Sequence, residues 1–296
     1  MKILITGGAG WLGRNLTAAL EAEHEVRLVD NVDPAEATLF VPGQPERVRV
    51  PLHTTHPYVR ADILDLDAMQ AAVEGMDAIV HLAAIPTGLP EQGKAVMTVN
   101  AVGTYVVLDA ARLQGVKRVF CASSINAFGT IYWRLSGQPA PYTTMPLTED
   151  FPVVPEDPYS LSKHMNEDTC AAFTRAYGLT TAAFRFAGVW TDAMYQQHRQ
   201  NLQPTAGWSD DLYQWVHVED IAQGLKAALE YEALPEFGVY TLSGPDTRCP
   251  EPTMEIMERF RPDLSVTEPL PGRAPLMSIR KAQAAFGYAP RYRLGD

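Results

Sequence analysis

The segment "PYSLSK" places Tyr159 and Lys163 four residues apart in a stretch that reads as the start of a helix. Side chains at that spacing are neighbours on one helix face. A phenol with its ordinary pKa of ~10 is a poor base at neutral pH, and an ammonium one turn away would stabilise the phenolate and lower that pKa. The pair reads as a proton-transfer device, with Tyr159 as general acid/base and Lys163 as its electrostatic tuner. Twelve tyrosines in 296 residues make such a pair possible by accident on any amphipathic helix, so the rest of the chain has to support the reading. A third group should polarise the reacting oxygen. Ser124 closes the run "VKRVFCASS" and is a candidate; its position fits a hydroxyl capping a strand-end turn equally well.

A second constellation could hold a dinucleotide. "TGGAGWLG" sets Gly7, Gly10 and Gly13 directly after a strand-like run and at the start of a helix. Gly7 permits a tight turn, Gly10 lets a pyrophosphate approach the backbone, and Gly13 lets helix and strand pack closely. The helix N-terminus adds free N–H groups and a partial positive charge. Trp11 and Leu12 open that helix and join the glycines as cofactor-binding candidates. Asp30 ends the next strand, where a carboxylate accepts from both hydroxyls of an adenosine ribose and repels a 2′-phosphate. The expected cofactor is therefore NAD rather than NADP. Arg14, beside the last glycine, either meets a 2′-phosphate or is a helix-surface residue.

The elements that would carry these residues alternate. "KILIT", "HEVRLVD", "DAIVHLAA", "VKRVFCASS", "LTTAAFRF" and "GVYTLSG" read as strands, with helical patterns between them, including a long one through "VMTVNAVGTYVVLDAARL". That alternation predicts an α/β fold, a Rossmann doubly wound parallel sheet with right-handed crossovers. Residues 1–186 and 212–245 are expected to form the NAD-binding domain. Residues 187–211 and 246–296 are expected to form a small, discontinuous C-terminal substrate lobe over the sheet's carboxyl edge. Residues 31–57 read as a Pro-rich surface excursion.

The net charge of −11, with no basic run, argues against broad nucleic-acid binding. No apolar run is long enough to span a bilayer, and the N-terminus enters a strand directly, so neither a membrane partner nor a signal peptide is expected. Three widely spaced cysteines suggest reduced thiols and a cytoplasmic location. "HTTH" (His53, His56) lacks further ligands and reads as loop surface rather than a zinc site, so no metal is expected. Cys121 reads as inert core, His81 as a structural hydrogen-bonder, and Asp220 as a helix cap.

In order along the chain, "TGGAGWLG", "ADILD", "HLAA", "VNAVGT", "CASSINAFG", "DPYSLSK", "FRFAGVW" and "WVHVEDIAQGL" resemble the extended short-chain dehydrogenase/reductase superfamily, in its NAD-dependent epimerase/dehydratase branch. The resemblance spans most of residues 1–232. It implies a catalytic set of Ser124, Tyr159 and Lys163. It also implies that Asp62 and Ile63 meet the adenine, that Leu82, Ala83 and Ala84 line the cofactor, and that Asn100 supports the active-site end of its helix. Phe186, Ala187 and Val189 would border the nicotinamide, and Lys163 would also bond its ribose. Relatives often dimerise through the long helices, so a homodimer is expected.

Departures from that pattern bear on substrate. Nucleotide-sugar members carry an arginine just before their counterpart of "WVHVED"; here the position is Tyr213, and a phenol cannot replace a guanidinium fork on a diphosphate. A second such arginine is displaced in "LPGRAP", at Arg273. Ile125 and Asn126 follow Ser124 where 4,6-dehydratases place an Asp-Glu pair. The expectation is oxidation or reduction at a secondary alcohol of a small sugar or sugar acid, as in uronate or aldose dehydrogenases. Ser124, Asn126 and Arg199 are the substrate-binding candidates, Arg199 being either a carboxylate binder or a surface residue; Tyr142, Trp190 and Trp208 either line the pocket or pack the lobe. The alternatives are a nucleotide-sugar (UDP-sugar) 4-epimerase, in which NAD stays bound, and a non-catalytic NAD-binding sensor.

Overall fold

The computed structural model describes residues 1–39, 46–131 and 134–295. Seven parallel strands form its central sheet: β1 (Lys2–Thr6), β2 (Glu25–Asp30), β3 (Tyr58–Arg60), β4 (Ala78–His81), β5 (Arg118–Ser124), β6 (Thr180–Phe186) and β7 (Phe237–Leu242). Their spatial order is β3-β2-β1-β4-β5-β6-β7. The chain builds outward from β1 to β3 and then restarts at β4 on the other side. This is a Rossmann fold, and the reversal between β1 and β4 opens a crevice at the carboxyl edge.

The helices are α1 (Trp11–Leu20), α2 (Leu66–Val73), α3 (Gly103–Leu113), α4 (Pro158–Tyr177), α5 (Asp192–Gln200), α6 (Val218–Glu230), α7 (Thr253–Phe260) and α8 (Arg280–Phe286). Alternate residues of a strand face opposite sides of a sheet, and here each side meets its own helices. Phe120 and Ala122 pack in a core with Leu16 of α1 and Ile221 of α6. Val119 and Cys121 pack in a second core with Met69 of α2, Val107 of α3 and Phe173 of α4. Because both faces are covered, β4 up to His81 and the middle of β5, residues 119–122, are apolar.

Two elements differ from the sequence expectation. β3 was not foreseen: it is a three-residue edge strand, half exposed, and too short to show an apolar run. The long helical pattern is broken by a π-helical segment, Met97–Val102, between a short turn at Gly93–Val96 and α3. Within the 31–57 excursion, Thr38–Leu39 and Val48–Arg49 pair as an antiparallel hairpin; residues 40–45 of that stretch lie outside the described residues. In the C-terminal part, Ile256 and Met257 of α7 and Phe286 of α8 join the α1/α6 core, and Phe286 meets Tyr240 edge-on at 5.2 Å.

Candidate active site

The carboxyl ends of β1, β4, β5 and β6 enclose a cavity of about 640 Å³. Helix α4 delivers Tyr159 and Lys163 to it, and local chemistry fixes where that helix begins. Asp157 is its N-cap and accepts from the Tyr159 and Ser160 N–H groups at 2.9 and 3.0 Å, and Pro158 occupies the first turn, where its missing N–H costs nothing. The helix stops at Gly178, whose φ of 66° is left-handed.

Ser124 caps its turn and also meets the Tyr159 phenol. Its Oγ accepts from the Asn126 N–H at 3.1 Å, capping the turn after β5, and it is hydrogen-bonded to the Tyr159 hydroxyl. Lys163 is 2% exposed; its Nζ donates to the Ala122 carbonyl at 2.9 Å and stands 5.6 Å from the centre of the Tyr159 ring. The electrostatics correct one expectation. Burial pushes Tyr159 up to about 12, only partly offset by the Ser124 bond, rather than Lys163 drawing it down. Although the residue as a whole is partly exposed, its phenol is surrounded by protein, and keeping a phenolate out of water outweighs one hydroxyl donor. Burial also lowers Lys163 to about 8, against the opposing pull of Cys121 and Glu167.

The same cavity reaches the glycine turn, where Gly7, Gly10, Trp11, Leu12 and Gly13 line it. This turn fits a dinucleotide phosphate. Gly7 has a φ of +69°, and a Cβ there would stand 2.9 Å from the Ala83 nitrogen. A Cβ on Gly13 would stand 2.4 Å from the Gly7 oxygen. Asp30 accepts from the Ala9 N–H at 3.1 Å, which ties the ribose-binding candidate to the turn and leaves it further lone pairs. Arg14 is fully engaged on the backbone: Nε donates to the Ala9 carbonyl at 2.8 Å, Nη1 to Pro51 at 3.1 Å and Nη2 to Val50 at 2.6 Å. It pins the excursion to the glycine turn and is not free for a 2′-phosphate.

Leu82 and Ala84 line the cavity from β4's end, and Phe186, Ala187 and Val189 from β6's; Asn126 lines it beside Ser124. Ala83 sits behind Gly7. Asn100 is fully buried in the π-helical segment: its Oδ1 accepts from the Ile85 N–H at 2.8 Å, and its Nδ2 donates to Ser162 Oγ at 3.0 Å, joining the loop after β4 to α4. Asp62 and Ile63 follow β3 outside the cavity wall; Ile63 is buried against Gly103.

Arg199 is not brought to the site. It is exposed on α5, its guanidinium over the Tyr195 ring at 5.6 Å. Nor do the lobe's aromatics line the cavity. Trp208 Nε1 donates to the Tyr142 hydroxyl at 2.7 Å, that hydroxyl donates to Asp210, and Trp190 packs on Trp215 at 5.1 Å. Asp220 does not cap α6, as its position suggested. His217 does so, and Asp220 accepts from the N–H groups of Arg291 and Tyr292 at 2.9 and 3.1 Å. His81 is a buried hydrogen-bonder, between Thr6 Oγ1 at 2.7 Å and Thr104 Oγ1 at 3.1 Å; burial lowers it to about 3 and keeps it neutral.

The sequence reading missed three polar residues. Arg47, on the excursion hairpin, reaches the cavity wall. Glu167 and Arg185 pair directly beneath the site, through contacts of 2.8 Å. Glu167 extends the Tyr159–Lys163 spacing by one more turn, a signal that was available; nothing local marks Arg47 or Arg185.

The model of the NAD dependent epimerase/dehydratase family matches residues 3–242. The chain belongs to this family. It is related to NAD-dependent sugar enzymes. A uronate dehydrogenase of Pseudomonas syringae pv. tomato is 28% identical over 243 residues, covering 82% of this chain and 74% of that protein. The fold is shared with a short-chain dehydrogenase/reductase superfamily protein of Agrobacterium tumefaciens solved with bound NAD, at a TM-score of 0.71 and 20% identity over 99% of this chain and 94% of that one. It is shared too with the UDP-glucose 4-epimerase of Thermotoga maritima, at a TM-score of 0.69 and 22% identity over 99% and 95%. No helix among the described residues of this family member is long and apolar enough to cross a membrane.

Proposed function

We propose that the chain is an NAD-dependent dehydrogenase acting on a secondary alcohol of a small sugar or sugar acid. The observation that carries this reading is the Ser124–Tyr159 hydrogen bond with buried Lys163 beside it, in the cavity that reaches the glycine turn. NAD, when bound, supplies the ring carbon that takes up the hydride. Gly7, Gly10 and Gly13 leave room for its pyrophosphate at the N-terminus of α1, Asp30 offers acceptors to the ribose, and Phe186, Ala187 and Val189 wall off the reacting end from water. Ser124 Oγ holds the substrate oxygen, and Tyr159 Oη takes the hydroxyl proton. The accepting form of Tyr159 is the phenolate, which the Lys163 ammonium stabilises until the proton arrives. A protonated Tyr159 is equally the acid that the reverse, reductive direction needs. The 187–211 and 246–296 segments form the substrate side, with Asn126 as the polar contact next to Ser124.

The similarity to uronate dehydrogenase supports a free sugar acid or aldose over a nucleotide sugar. Two features near the substrate side agree. Tyr213 is buried and donates to the Gly207 carbonyl at 2.6 Å, and Arg248 is held by both oxygens of Asp211, at 2.7 and 3.0 Å. A UDP-sugar 4-epimerase would need such a cation for the diphosphate. The test is NADH formation with a panel of uronates, aldoses and UDP-sugars. Stoichiometric NADH from a free sugar supports the dehydrogenase. Interconversion of UDP-sugars with retained cofactor and no NADH release overturns it, and Tyr159→Phe should lower turnover by ~10²–10⁴-fold.

A second copy of the chain completes the assembly in this reading. Val102, Tyr105, Leu113, Leu161, Met165 and Tyr177, all on α3, α4 and the π-helical segment, are 39–52% exposed. Neighbouring helices with that much apolar surface form a face suited to a four-helix dimer interface.

A further inference from the structure

An ion pair that the proposed chemistry does not use lies directly beneath Ser124 and Lys163. Glu167 is 4% exposed and Arg185 is 2% exposed. Arg185 Nε and Nη2 donate to the two carboxylate oxygens of Glu167, each at 2.8 Å, and Ser123 Oγ donates to one of them at 2.6 Å. Ser123 and Arg185 are register partners across β5 and β6. One carboxylate from α4 therefore clamps the penultimate rung of two adjacent strands, one residue before Ser124. One turn earlier on the same helix, Lys163 is held to Ala122, the residue before Ser123.

We propose that Glu167 and Arg185 are positioning residues that set the register of α4 against β5 and keep a carboxylate beside the Lys163 ammonium. The proposal rests on the dehydrogenase reading above. A bidentate guanidinium–carboxylate pair fixes orientation as well as distance, whereas the layer immediately below it, Cys121, Cys170 and Phe173, is apolar and would allow a helix to slide. Replacing a buried pair by apolar residues of similar volume is often neutral for stability, so stability alone does not require this one. The groups facing Glu167 are Arg185 from β6, Ser123 from β5, and His164 on α4 at 3.9 Å; Cys121 and Cys170 lie in the layer below. The Glu167 charge supports the charged form of Lys163 against its burial. With Glu167 neutral, Arg185 would be an unpaired cation in the same interior, and Lys163 would lose its proton at a lower pH.

The test compares Glu167→Gln with wild type by steady-state kinetics, by NAD titration and by the 13Cε NMR titration of labelled lysine without cofactor. The expected kcat falls by about tenfold or more, while KM and NAD affinity stay within about twofold. The Lys163 titration moves down by about half a unit or more. The paired replacement Glu167→Leu with Arg185→Met covers the case where the single variant fails to fold; it should fold and show the same loss of kcat. Wild-type kcat with an unmoved Lys163 titration in Glu167→Gln, or wild-type kcat in the folded double variant, overturns the proposal. Tyr159→Phe, run in the same assay, separates this outcome from a failure of the dehydrogenase reading, because retained turnover there would refute the chemistry itself.

Discussion

Replacing Gly13 with alanine tests the fold and the site at once. An added Cβ would stand 2.4 Å from the Gly7 oxygen, 2.7 Å from Gly8 Cα and 2.9 Å from the Gly8 carbonyl carbon. Relaxed heavy-atom contacts lie at ~3.5–4.0 Å, so α1 and the turn must separate by about an ångström or more. All three atoms are backbone, and the turn cannot yield freely. Gly10 N–H donates to the Gly7 oxygen at 3.0 Å, and Gly8 N–H to Val29 at 3.1 Å. Overpacking of this kind costs ~1–3 kcal/mol, and rigid neighbours place it at the upper end. Alanine's better helix propensity returns ~1 kcal/mol. The net is a loss of ~2 kcal/mol, or about 4–8 °C in Tm. A turn displaced by that much should bind NAD at least about tenfold more weakly, ~1.4 kcal/mol. Gly10→Ala is the matched control. Its Cβ would meet only the Gly7 oxygen, at 3.2 Å, and it faces the cavity. It should cost less than ~1 kcal/mol of stability yet impair NAD binding as much. Thermal denaturation without ligand and fluorescence titration with NAD measure both quantities. A Gly13→Ala protein with wild-type Tm and wild-type NAD affinity would refute the steric reasoning.

Three further outcomes are expected. Burial alone would raise the Glu167 carboxyl, but Arg185, His164 and Ser123 overcome it and hold the group at about 2 against an ordinary 4.5. Its folded value is depressed, so its contribution is complete above 4.5 and is lost as pH falls towards about 2; it amounts to roughly 3 kcal/mol at most. Urea unfolding between these pH values should show that slope, and Glu167→Gln should flatten it. Arg14→Met should loosen residues 50–51 and lower stability by ~1–3 kcal/mol without changing the ratio of NAD to NADP affinity, measured by calorimetry; a changed ratio would return Arg14 to a 2′-phosphate role. Tyr105→Glu with Leu161→Glu should yield a monomer by sedimentation velocity, and an unchanged sedimentation coefficient would refute this face as a dimer interface.

Much of this molecule was legible locally. Glycine spacing, a strand-end Asp30, and Asp157-Pro158 ahead of Tyr159 each carry their meaning within a few residues. The apolar strands showed through because both sheet faces are covered. What escaped was either too short to have a pattern, such as β3, or depended on a partner far along the chain. Asp220 resembles a cap in sequence and serves residues 291 and 292 instead. Arg199 could by its place in the sequence bind a carboxylate or lie on the surface, and the helix turns it to solvent.

The linear order of residue types was sufficient to determine the doubly wound sheet, the glycine turn after its first strand and the placing of Tyr159 and Lys163 on one helix face, because backbone conformation, capping and face periodicity are short-range properties. Folding alone decided which charges are spent on one another and which remain for a ligand. Arg14 closes on carbonyls at 50–51, Arg185 on Glu167, Arg248 on Asp211, and Tyr159 becomes a weaker acid than its neighbour Lys163 would suggest. Pairing and desolvation depend on distance and on the exclusion of water, and neither is written in spacing along a chain.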